Sequence, residues 1–207
     1  MLKLRSLIVF LLIFVSTLII SGCGAVHMTG DLIRTFSKDV EVAVSPNVTV
    51  DELKKNEDIA VSVNPSSKSN KDIVAVFGSG NINKNVISDM ITMEFMQLGY
   101  SAKTLAENVS DTTANETFAE LANKGFDIVL VGNMNIGTTT STTSHLTGGN
   151  IADTGVTSFT IKGIDTDTGS VLFIISTEYG KSKKPKTVAE DLAEIYSKLL
   201  KGEIEST

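Results

Sequence analysis

The chain has 207 residues, is 42% hydrophobic and 20% charged, and carries 24 Asp and Glu against 18 Lys and Arg, a net charge of −6. That acidic balance argues against binding nucleic acid or anionic lipid through bulk charge. Its single cysteine, Cys23, excludes an internal disulfide framework, so burial alone must hold the fold.

Lys3 and Arg5 open a run from Leu7 to Ile20 that is apolar apart from Ser16 and Thr17, and Ser21-Gly22-Cys23 follows. A basic start, an apolar stretch and small residues before a cut site form a secretory signal peptide. The run is shorter than the ~20 apolar residues a membrane-spanning helix needs. Ile20-Ser21-Gly22-Cys23 resembles a bacterial lipobox, whose cysteine receives diacylglycerol before cleavage in front of it. The expectation is a cleaved signal over 1–22, lipidation at Cys23, and a tether or edge segment over 23–57. Residues 1–22 contain Lys3 and Arg5 and no acid, so the mature chain has 185 residues, 16 of them basic and 24 acidic, a net of −8. Gly24 follows Cys23. In a diderm that matches the default signal for the outer membrane, periplasmic side; in a monoderm it means the outer face of the one membrane.

In the segment over 23–57, residues 40–44 read as a strand and residues 51–55 as one helical turn; a domain is expected over 58–207, with residues 58–63 as a short strand. Asn64 to Asn70 is a loop by composition. The continuous apolar run Ile73 to Phe77 reads as a buried strand, closed by Gly78-Ser79-Gly80. An amphipathic helix from Lys84 to Leu98, capped by Asn83, presents Ile87, Met90, Ile91, Phe95 and Leu98 on one face. Tyr100 to Leu105 reads as a strand, Glu116 to Lys124 as a helix and Phe126 to Gly132 as a central strand. Gly137 to Thr154, rich in Thr, Ser and Gly, reads as a long polar loop. Val156 to Ile164 alternates with a slip near Ser158, Asp165 to Gly169 forms a hairpin turn, and Val171 to Ile175 returns. Lys181 to Lys186 reads as a basic loop. A last helix, opened by a capping box at Thr187 and Glu190, buries Val188, Leu192, Ile195, Tyr196 and Leu199. The fold class is α/β (α+β): a mixed sheet with helices packed on it in the order β-α-β-α-β-β-β-α, in two layers, or three if the last helix lies on the opposite face.

The run at Ile73 to Phe77, the helix ending Leu98-Gly99-Tyr100, the strand Phe126 to Gly132 and the hairpin Ile161 to Leu172 together resemble the α/β domain of the curli-secretion-channel lipoproteins. That domain is similar to the TolB amino-terminal domain and to the outer-membrane lipoprotein activators of peptidoglycan synthases. The resemblance implies a non-enzymatic, lipid-anchored envelope protein acting in outer-membrane assembly, export or protein interaction. Its alternatives are an oligomeric export-channel subunit or a synthase activator. Its partners would be the membrane through Cys23, an envelope protein, and further copies of the chain as a homo-oligomer, with no nucleic acid. Thr138 to Ser144 lacks the apolar alternate row that a lipid-facing strand requires.

The candidate chemistry is sparse. His27 and His145 are the only histidines, with no ligand spacing for zinc. Gly78-Ser79-Gly80 lacks the Lys-Ser/Thr of a phosphate-binding loop. Asp165 and Asp167 lack the further ligands of a calcium loop, with Ser176 at position twelve. Met90, Met93 and Met96 fit a helical core stripe. Lys181, Lys183, Lys184 and Lys186 form the basic cluster, a solvated loop or a contact for an acidic partner. No catalytic residue, cofactor or metal site is expected.

Overall fold

The computed structural model describes residues 38–54, 58–78, 85–106, 109, 115–140 and 152–203. The chain from Lys38 onward forms one compact unit. Cys23, the signal peptide, the start of the tether, His27, the cap at Asn83, Ser79-Gly80, the middle of the Thr-rich stretch and His145 lie outside the described residues.

The elements are β1 (Lys38–Val44), α1 (Val50–Leu53), β2 (Asp58–Ser67), α2 (Asn70–Phe77), α3 (Val86–Gln97), β3 (Ser101–Thr104), α4 (Asn115–Asn123), β4 (Ile128–Thr140), β5 (Ala152–Asp165), β6 (Val171–Lys183) and α5 (Pro185–Leu200). The strands form one six-stranded sheet in the order β1-β6-β5-β4-β2-β3. Strands β1, β6, β5 and β4 each run antiparallel to the next in that series. Strands β4, β2 and β3 are mutually parallel, joined through helices. The sheet is therefore mixed, as expected.

Alternation along the inner strands sorts two cores. Ile59, Val61 and Val63 of β2 and Ile128, Leu130 and Met134 of β4 face α3 and α5. Ala60, Val129, Val131 and Ile164 face the other way and meet Phe118 and Leu121 of α4. The result is three layers, and α4 supplies the third rather than the last helix. Phe95, Tyr100, Phe173 and Tyr196 join α3 to α5 with ring centroids 5.2–5.7 Å apart, spacings that favour tilted aromatic pairs.

Five expectations are corrected. Ile73 to Phe77 is the body of helix α2, not a strand, and none of its residues is fully buried. A continuous apolar run has no period of its own, and the capping chemistry decides. The Ser69 side chain accepts from the Lys71 amide at 3.3 Å, and Gly78, at φ +87°, closes the helix with its N–H on the Val74 carbonyl. The opening strand of the expected order is β2 instead.

Strand β2 continues through Asn64-Pro65-Ser66-Ser67, which composition marked as a loop. The Leu105 amide donates to the Val61 carbonyl and the Val63 amide to Ser88, so Val61 and Val63 turn their backbone groups toward the β3 side. Pro65, two residues on, points its nitrogen to that same side, above the end of the β2–β3 pairing at Val61–Thr104. No ladder donor is needed there.

The Thr-rich stretch is strand at both ends, with β4 running to Thr140 and β5 starting at Ala152. Threonine is β-branched, and Thr138 and Thr154 pair across the strands with hydroxyls 2.9 Å apart. The slip near Ser158 is a register shift between Val156 and Ser158.

The basic segment is not a loop. Lys181 and Lys183 belong to β6, Lys184 is the N-cap of α5, and Pro185 takes the first helical position. Thr187 and Glu190 consequently lie inside the helix and form no capping box at its start.

Candidate functional site

The strand directions place Ser67, Thr140, Ala152, Lys183 and the start of β1 at one end of the sheet. Helix α5 opens there too, because β6 runs into it through Lys184. A polar network ties this end together. The Thr139 hydroxyl lies 3.0 Å from Ser182 Oγ, and Ser182 Oγ donates to the Asp153 carbonyl at 3.0 Å. Thr138 donates to Asp72 Oδ1 at 3.3 Å, and Ser67 donates to the other oxygen of that carboxylate at 3.2 Å. Individual threonines and serines carry little sequence signal, and their partners are 43 and 66 residues away. Only pairing of the strands brings them together.

The lysines sit on this framework. Lys181 reaches Asp153 at 3.7 Å and Lys186 reaches Glu190 at 3.3 Å. Lys183 and Lys184 make no ion pair among the described residues, and Lys184 is exposed. Lys68 and Lys71, both exposed, flank the end of β2. At the opposite end, Asp58 and Asp127 precede or begin β2 and β4, and Asp165 and Asp167 occupy the β5–β6 turn.

Beyond that end, the sequence candidates separate. Asp165 is a turn residue, its Oδ1 accepting from the amide and hydroxyl of Thr168 at 2.6 and 2.7 Å. Among the described residues no group of three His, Cys, Asp or Glu is placed to hold a metal. Met90 is partly buried against the core, whereas Met93 and Met96 are 59% and 58% exposed. The expected core stripe is therefore corrected: the helix turns its second and third methionines outward. Leu98, expected on the buried face with Ile87 and Phe95, is corrected too, being 48% exposed; α3 meets the edge strand β3 through the Thr92–Thr104 hydroxyl pair at 2.9 Å.

On the opposite sheet face, Asn64, Val131, Gly132, Asn133, Thr160 and Lys162 line a shallow cleft of about 210 Å³, roofed in part by Val109. Val109 is anchored by Ser62, whose hydroxyl accepts from its amide at 2.8 Å and donates to its carbonyl at 3.3 Å. Sequence reasoning assigned Ser62 no such role.

Burial raises the pKa of all three tyrosines. For Tyr179 the second cause is its hydrogen bond to Asp191 and the third that carboxylate's charge. For Tyr196, burial is followed by the proximity of Tyr100 and Asp127. For Tyr100, burial acts alone. Each phenol is thereby held neutral.

No family model matches the chain, and no curated protein matches it. Similar solved structures include the PelC dodecamer from Paraburkholderia phytofirmans, at 13% identity over 79% of this chain and 97% of that one, with a TM-score of 0.45. A DUF4136 family protein from Bacteroides thetaiotaomicron is 10% identical over 80% of this chain and 95% of its own, with a TM-score of 0.37. The LpoB C-terminal domain from Salmonella enterica is 14% identical over 65% and 87%, with a TM-score of 0.27. At these identities and scores they are likenesses of chain path, and no functional residue is carried over from them.

Proposed function

We propose that this chain is a lipid-anchored, non-enzymatic protein of the bacterial cell envelope that acts through contact with an envelope partner. The observation that carries this reading is the run Lys3-Leu4-Arg5, Leu7 to Ile20, and Ser21-Gly22-Cys23. It has the order of parts that export and lipidation require. Two or more acyl chains on Cys23 hold a protein stably where one does not. The exposed Met93 and Met96 supply an adaptable apolar surface for a partner.

The test is fatty-acid labelling of the expressed chain, with mass measurement of the mature amino terminus. Labelling that disappears in Cys23→Ala, with a terminus beginning at a diacylglyceryl cysteine, is the expected result. An unlabelled chain cleaved elsewhere would refute the anchor. A hydrolytic or transfer activity abolished by one point change would refute the non-enzymatic part.

A further inference from the structure

We propose that the lysine-bearing end of the sheet is a membrane-facing surface that binds the phosphates of anionic phospholipid headgroups, so that the domain docks upright on the bilayer that holds its anchor. The inference rests on the lipid-anchor reading of Cys23.

The first observation is where the chain enters the fold. Strand β1 starts at Lys38, opposite Tyr179 of β6, and runs away from the lysine end, with Val44 opposite Phe173. The connection from Cys23 therefore arrives at the half of the sheet that ends in Lys181, Lys183 and Lys184. Fourteen residues separate Cys23 from Lys38, a reach of about 50 Å at full stretch. Strand β6 is 13 residues long, but its residues 178–183 lie opposite only Val156 to Ser158 of β5, so it spans about 30 Å. To bring the acidic end to the bilayer, the connection would first have to run back along much of that length. The lysine end needs no such detour.

The second observation is charge. The protein is acidic overall, so bulk charge repels an anionic surface and only a local excess can bind one. Lys181 and Lys186 are each offset by a carboxylate, but Lys183 and Lys184 are not. Glu178, opposite Asp39 of β1, lies below Lys183 on β6, and the register shift that sets Lys183 against Val156 and Glu178 against Ser158 leaves about 7 Å between the two levels of the sheet. The start of α5, with Lys184 making no side-chain cap bond, adds the partial positive charge of a 16-residue helix. The opposite end carries Asp58, Asp127, Asp165 and Asp167. Among the described residues, Lys183 and Lys184 thus lie without a carboxylate partner at the end where β1 begins, an end they share with Asp72 and with Asp153, which Lys181 neutralises. A lipid chain supported by a basic patch is a recognised way to make membrane attachment firm.

The experiment uses the mature lipidated protein in vesicles of phosphatidylcholine alone or mixed with phosphatidylglycerol. A fluorophore is placed at Thr187→Cys, in the first turn of α5, or at Ser170→Cys, in the β5–β6 turn, and quenched by a headgroup-labelled lipid. We expect the Thr187 label to be quenched in the anionic vesicles and the Ser170 label to stay bright. In K183Q/K184Q the docked-to-undocked ratio should fall about fivefold per lysine, and added salt should reverse the docking. Should that variant fold poorly by circular dichroism, the salt series on the unsubstituted lysines decides. A Thr187 label indifferent to phosphatidylglycerol, or a Ser170 label quenched more strongly, overturns the proposal. Flotation separates this from the anchor. Flotation on both vesicle types without charge dependence keeps the anchor and overturns the lysine surface. Flotation on anionic vesicles alone, lost in K183Q/K184Q, overturns the anchor and keeps the surface.

Discussion

The Ser88 hydroxyl of α3 takes the place of a missing strand beside Val63 of β2. It accepts from the Val63 amide at 2.8 Å and donates to the Val63 carbonyl at 2.9 Å. The β2–β3 pairing ends two residues earlier, at Val61. One buried side chain thus satisfies both backbone groups that the short edge strand leaves open, and it fixes the height of α3 on the sheet.

Ser88→Ala should therefore cost at least about 2 kcal/mol, since it strands a buried donor and acceptor together. That corresponds to a fall of roughly 4–8 °C in Tm for a domain of this size. The neighbouring exposed Asp89→Ala should stay within about 0.5 kcal/mol. Thermal denaturation of both variants checks the contrast, and equal melting points would contradict it.

Alkaline pH should unfold the protein through its tyrosines. An unfolded tyrosine ionises near pH 10, whereas Tyr179 and Tyr196 ionise higher in the fold, chiefly because they are buried. The folded state holds these protons more tightly. The resulting stability is fully present below pH ~10 and is lost as pH rises above it, by about 1.4 kcal/mol per pH unit for each group. Tyrosinate absorbance should appear late and together with the loss of circular dichroism. A gradual titration near pH 10 in the folded protein would count against this.

Tyr196 offers a sharper comparison. Its ring is packed among Phe95, Tyr100 and Phe173, but its hydroxyl is buried with no hydrogen-bond partner among the described residues. Tyr196→Phe should be neutral or stabilising, by up to about 1 kcal/mol. Tyr196→Ala should cost about 3–5 kcal/mol by leaving a cavity. Denaturant midpoints would distinguish them, and a destabilised Phe variant would reveal a partner for the hydroxyl.

Gly132 and Gly163 lie where β4 and β5 leave no room. A Cβ on Gly132 would overlap the Thr160 carbonyl and approach Ile161 Cα to 2.8 Å, and one on Gly163 would strike the Phe173 ring. Backbone cannot yield as a ring can, so Gly132→Ala should be the worse of the two, by about 3 kcal/mol or more against about 1–3 kcal/mol. Urea unfolding of both variants orders them.

Met93→Lys with Met96→Lys should leave stability within about 0.5 kcal/mol per site, because both side chains are already in solvent. Site-specific cross-linking from position 97, exposed on the same helix, in intact cells should yield an envelope partner that the double variant loses. Retention of the same cross-linked product would remove this surface from the interaction.

Periodic and punctuated segments were legible from the chain itself. Val188, Leu192, Ile195, Tyr196 and Leu199 are all buried on α5, because a repeat of 3.6 residues needs no neighbour to define its face. Asp165 to Gly169 turns because Asp and Gly suit tight turns locally. The tertiary structure decided the rest. Ile73 to Phe77 has no period, so caps at Ser69 and Gly78 made it a helix. Pro65 stays in a strand because β3 has already ended beside it, and Met93 and Met96 lie in solvent because no element was laid over them. The lysine end exists only because β1, β6 and α5 meet there. Residues far apart in the chain acquire a common face from strand direction and register, which no local pattern encodes.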